Sequence, residues 1–127
     1  MTRVGCLALV AFLAVSCGAQ SLKLAKIGPS RACLRAAGVR TDERLGADFI
    51  AGTATGGAFR AHLGRNSVTV VFSDTVDRAD AINDAYHRFH AQNVGIEDVL
   101  KQQGNVVMLW HAHPSNADQA RITGCLK

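Results

Sequence analysis

Read for apolar and polar positions, the chain opens on an uncharged run from Val4 to Val15 and then breaks into short amphipathic segments. The clearest pattern lies mid-chain. Phe59, Ala61 and Leu63 alternate with Arg60 and His62, Gly64-Arg65-Asn66 turns the chain, and Ser67 to Phe72 returns with Val68, Val70 and Phe72 on one face. Alternation on both sides of turn chemistry predicts a β-hairpin. Asp74 is placed to cap a following helix and Asp77 lies in its first turn, where a carboxylate complements the helix dipole. Ala79, Ile82, Tyr86 and Phe89 recur at i, i+3, i+4 spacing, which predicts a helix ending before Asn93-Val94-Gly95. Ile96 to Gln102 predicts a strand, Gly104-Asn105 a turn, and Val106 to Trp110 a second strand. That last run hardly alternates, so it is predicted to be central and covered on at least one face. Pro114 stops it. Ser115-Asn116-Ala117-Asp118 has capping-box spacing and opens a last helix carrying Ala117, Ile122 and Cys125.

Toward the N-terminus the signals are shorter. Pro29 and Ser30 start a predicted helix over Ser30 to Ala37 and Gly38 ends it, after which Val39-Arg40-Thr41 reads as a short strand. Leu45, Phe49 and Ile50 predict a helix over Glu43 to Ala54, stopped by Gly56-Gly57. The sum is an α+β domain: a small antiparallel sheet built from two β-hairpins, with helices packed on one face and the first and last helices near each other. The hairpin-plus-capped-helix pattern occurs twice, from Gly64 to Ile82 and from Gly104 to Ile122, with few identities.

The leader sets the compartment. Met1-Thr2-Arg3 carries one positive charge, and the apolar run after it is shorter than the roughly 20 residues a membrane span needs. A charged start, a short apolar core and small residues at its end make a secretory signal. Leu13-Ala14-Val15-Ser16 followed by Cys17 resembles the lipobox of bacterial lipoproteins, with Ala14 where the best-known pattern has Leu. The resemblance covers the leader alone. It implies a signal peptide over residues 1–16, lipid on Cys17, an anchor and tether over residues 17–28 before a domain over 29–127, and a membrane partner at the extracytoplasmic face. Each buried CH₂ contributes about 0.8 kcal/mol, so two or three acyl chains hold a small domain durably. The alternative is cleavage after Ala19 and plain secretion. Beyond the leader, Cys33-Leu34, the Val106-to-Trp110 strand and Gly124-Cys125-Leu126 are similar in layout to small exported proteins of actinobacteria, a likeness that carries no catalytic residue.

Composition narrows this further. Of 127 residues, removal of the first 16 leaves 111, one domain able to bury its own core. The formal net charge of +4 falls to +3 as Arg3 leaves, a mild balance that does not indicate nucleic-acid binding. Cys6 is lost with the leader and Cys17 is modified, which leaves Cys33 and Cys125 in an oxidising compartment. A disulfide between them is predicted; it closes a loop of about 90 residues, for which chain entropy allows on the order of 4–5 kcal/mol. Lys23, Lys26, Arg31, Arg35 and Arg40 precede the first acid of the mature chain, Asp42; beside a lipid anchor such a run could lie against anionic headgroups, and it reads first as a solvated basic face.

Few residues suggest chemistry. His111-Ala112-His113 puts two imidazoles on one side if the strand continues, and His62 lies on the first hairpin, so His111, His113 and His62 form a candidate copper or zinc set. His87 and His90 lie on the long helix, His90 at the border of its apolar stripe and His87 turned to water. There is no Gly-x-Ser-x-Gly elbow, and Ser73 and Ser115 read as a strand end and a cap. Asp74, Asp77, Asp80 and Asp84 read as dipole complement and solvated face, and Gly52 to Gly57 lacks the lysine of a phosphate loop. Trp110 is read as core, or as the floor of a shallow site should one sheet face be open. The expectation is a non-catalytic cell-envelope domain without a catalytic residue or bound cofactor, binding a protein, cell-wall or small-molecule partner, with copper or zinc binding as the alternative.

Overall fold

In the computed structural model, which describes residues 23–90 and 95–127, the chain runs α1 (Ile27–Ala36), β1 (Arg40–Asp42), α2 (Phe49–Gly52), β2 (Ala58–Leu63), β3 (Asn66–Phe72), α3 (Val76–His90), α4 (Ile96–Val99), β4 (Leu100–Gln103), β5 (Val106–Trp110) and α5 (Asn116–Thr123). The strands form one antiparallel sheet in the order β1-β2-β3-β5-β4. Two hairpins, β2–β3 and β4–β5, are joined through their inner strands, and β1 is added at the outer edge of the first. Each hairpin closes over two residues, Gly64-Arg65 and Gly104-Asn105. In both the glycine comes first with positive φ, +59° and +56°, the position a II′ turn reserves for glycine.

The α+β class and the antiparallel sheet are as the sequence predicts, but helices cover both faces of the sheet rather than one. Phe59, Ala61, Leu63, Val68, Val70, Phe72, Val106, Met108 and Trp110 turn to one face, where they pack with Leu34 of α1, Ile122 of α5 and Cys125. Val71, Val107 and Leu100 turn to the other, against Ile50 and Ala51 of α2 and Ala79, Ile82 and Tyr86 of α3. Val70 and Val71, like Val106 and Val107, are adjacent and all fully buried. A strand with no polar face requires cover on both sides, and β5 is such a strand. The two hairpin-plus-helix units therefore differ in packing, since α3 and α5 lie on opposite faces.

The disulfide between Cys33 and Cys125 joins α1 to the segment after α5, with Cα atoms 5.4 Å apart. Around it, Lys26 N donates to Lys127 O, and the Ser30 hydroxyl both donates to Lys127 O and accepts from Lys127 N. Helix α1 starts at Ile27, three residues before the predicted start, because a proline within the first turn sacrifices no helical hydrogen bond. Part of the expected tether is thus folded: the buried Asn105 side chain accepts from Ala25 N and donates to Ala25 O, as a strand partner would. Cys6 and the lipidation site Cys17 lie outside the described residues.

Three further expectations are corrected. The helix over Glu43 to Ala54 shrinks to the single turn α2, because Gly46 takes φ +63° and Asp48 caps there, accepting from Ala51 N at 3.0 Å. The strand from Ile96 forms only at Leu100, after the turn α4. The cap of α3 is Thr75, whose hydroxyl accepts from Arg78 N, while Asp74 accepts from the Thr55 hydroxyl and pairs with Arg78. Ser115 caps α5 as predicted, accepting from Asp118 N.

Candidate functional site

Helix α3 covers only part of its sheet face. Register places Arg60, Thr69, Leu109 and Leu100 in one row across β2, β3, β5 and β4. The next row out holds His62 and Ser67, with His111 beside Ser67 through a hydrogen bond from His111 N to Ser67 O. Over these two rows lies a cavity of about 640 Å³, within the range of small-molecule sites. Ser67, Thr69 and Leu109 form its floor, Leu45, Ala47 and Asp48 one wall, and Ile96 and Val99 the other, with Arg60 and His111 at its edges.

Each charged group there has a distinct local cause. Asp48 spends both carboxylate oxygens: Oδ1 caps α2 and Oδ2 accepts the Tyr86 hydroxyl at 2.7 Å. This bond ties the wall to α3. Burial first, and the Asp48 carboxylate second, push the Tyr86 phenol far above its ordinary range, so it stays a donor. Arg60 projects from the partly buried face of β2, and its Nη2 donates to Leu45 O at 3.3 Å, pinning the wall loop to the sheet. Among the described residues no carboxylate pairs with it. Thr69 is only 5% exposed, and neither its hydroxyl nor that of Ser67 has a hydrogen-bond partner among the described residues. Trp110 borders the cavity from the strand, but its side chain belongs to the opposite core, where its Nε1 has no partner among the described residues.

The predicted histidines are not gathered into one site. His62 Nε2 meets Asp42 Oδ2 at 2.7 Å, and this bond, with a second from Arg44 N, holds the Asp42 carboxyl below its usual range. His111 is exposed two strands from His62, about 9–10 Å in backbone spacing. His113 is exposed beyond a bend, because the Asn66 side chain takes both backbone groups of Ala112 and ends the alternation on which the His-x-His reading depends. His87 faces outward to Glu97, as its helical position predicts. Among the described residues no three His, Cys, Asp or Glu side chains are grouped to hold a metal ion.

Sequence reasoning passed over Arg60, Thr69 and Asp48. Arg60 and Thr69 occupy the polar positions of alternating strands, which a local pattern reads as solvent-facing; only the helices packed on the second sheet face make them line a cavity. Asp48 had no local signal, since its role depends on Tyr86, which is 38 residues away. No family model, curated protein or solved structure matches this chain.

Proposed function

We propose that this protein is a non-catalytic cell-envelope domain, exported by its leader, held at the extracytoplasmic face of the membrane by lipid on Cys17, and binding a small molecule in the cavity over Arg60 and Thr69. The observation that carries the reading is that cavity, lined by the Thr69 hydroxyl and by a guanidinium that meets no carboxylate among the described residues. The disulfide supports export, since such bridges persist in oxidising compartments. The chain enters the domain beside Asn105, about 14 Å along β5 from Leu109, so a tether there is attached away from the cavity.

The test is an intact mass of the protein taken from its native membrane, under native and then denaturing non-reducing conditions. The expected result is an acylated chain starting at Cys17, two hydrogens light, with additional native mass from an organic ligand. A start at Gln20 overturns the anchor. Native mass from copper or zinc, lost in a His111→Ala, His113→Ala double variant, replaces the cavity reading with the metal reading.

A further inference from the structure

Resting on that reading of the cavity, we propose that its ligand is a small amphipathic carboxylate, gripped at its acid end by Arg60 and Thr69 and along its apolar body by Leu45, Ile96 and Leu109. Three observations converge. The first is the state of Arg60. A guanidinium has five N–H donors in a fixed fork that matches a carboxylate, and this one makes a single hydrogen bond, to the neutral Leu45 carbonyl. The acids nearest in the fold are committed elsewhere, Asp48 to Ala51 N and the Tyr86 hydroxyl, Asp42 to His62 and Arg44 N.

The second observation is register. Arg60 and Thr69 are direct cross-strand partners, so the unpartnered hydroxyl of a 5%-exposed threonine stands beside the guanidinium. That hydroxyl lines the cavity and is free to donate to a bound acceptor. Arg60 and Thr69 together offer more than one donor to one oxyanion. The third is composition. The walls and floor carry Leu45, Ile96 and Leu109, which exclude water from the body of a ligand and strengthen the charge contact at its head. One permanent cation, Arg60, lines this cavity, and the Asp48 carboxylate on the wall is already held by Ala51 N and the Tyr86 hydroxyl. That balance fits a monoanion better than a phosphate dianion, which would leave a charge unmatched.

The exported mature protein is titrated calorimetrically with hexanoate, hexanol, hexylamine and N-acetylleucine. Hexanoate is expected to bind saturably and about tenfold or more tighter than hexanol, the worth of one charged hydrogen bond, with hexylamine weakest. Arg60→Gln, verified as folded by its thermal transition, is expected to abolish the preference for hexanoate over hexanol. Thr69→Val, which keeps side-chain shape, is expected to weaken both acids severalfold. N-acetylleucine tighter than hexanoate identifies the carboxylate as a peptide end, and the reverse order identifies an acyl acid. Hexanol equal to hexanoate, hexylamine tightest, or hexanoate affinity unchanged in Arg60→Gln overturns the carboxylate proposal while the cavity remains a binding site. No saturable binding of any of the four overturns both.

Discussion

Asp48 and Tyr86 illustrate how much a single residue pair decides here. One carboxylate starts α2 with one oxygen and holds α3 with the other, so the cavity wall and the helix behind it share an anchor. Tyr86→Phe keeps the buried ring and removes only the hydroxyl. It is expected to cost about 1.5–3 kcal/mol, the range for a hydrogen bond to a charged group, read from urea denaturation. Phe49 and Phe89 add an edge-to-face ring contact at 5.7 Å beside this pair, although both are largely exposed. Phe89 continues the apolar stripe of α3, yet the core ends before it.

Between elements, His87 joins α3 to α4. Its Nδ1 donates to Asn83 O at 3.0 Å and its Nε2 to Glu97 at 2.8 Å, two donations that only the protonated ring makes together. The backbone carbonyl first, then Glu97, raise its pKa above 6.5. A raised pKa means stability fully present below the unfolded value and lost as pH climbs through the folded one. His87→Gln is therefore expected to lower the melting temperature near pH 5.5 and to match the parent near pH 8.5, by about 1–2 °C for so exposed a pair. Asp42 has the opposite sign. Its contribution is present above pH 3.8 and is lost as pH falls through its lowered pKa. The hairpin turns belong to this scale too. Gly64 has φ +59° and nothing within 4 Å of a built Cβ, so Gly64→Ala meets backbone strain without a clash. The expected loss is roughly 1–2 kcal/mol, measured by chemical denaturation with unchanged circular dichroism.

The whole molecule is closed on itself. The bridge spans a sequence separation of 92 residues, and the backbone bond from Lys26 N to Lys127 O lies beside it. Both chain ends of the described domain are thus fixed to one corner of the sheet. Cys33→Ala with Cys125→Ala is expected to lower unfolding free energy by about 2–5 kcal/mol, and reductant to do the same to the parent but nothing to the variant. The hydrogen bonds of Ser30 and Asn105 to the ends of the described chain survive reduction, so the fold is expected to loosen at α1 before the sheet is lost.

What the sequence determined by itself is what local chemistry controls: both hairpins, the long helix and the Ser115 cap, while the Cys33–Cys125 pairing followed only from the expected loss of Cys6 and modification of Cys17. Strand alternation, glycine at a positive-φ turn position and a hydroxyl three residues before a free N–H act within a few residues, so they are legible without a fold. Only the tertiary structure decided that helices cover both sheet faces, that Glu43 to Ala54 yields one helical turn, and that Asn66 ends β5 before His113 shares a face with His111. It also decided the cavity. Arg60 and Thr69 become neighbours through strand register, and Asp48 turns to Tyr86 through packing of α2 on α3. These contacts join residues far apart in the chain, and their energy depends on what is buried around them, which no local pattern encodes.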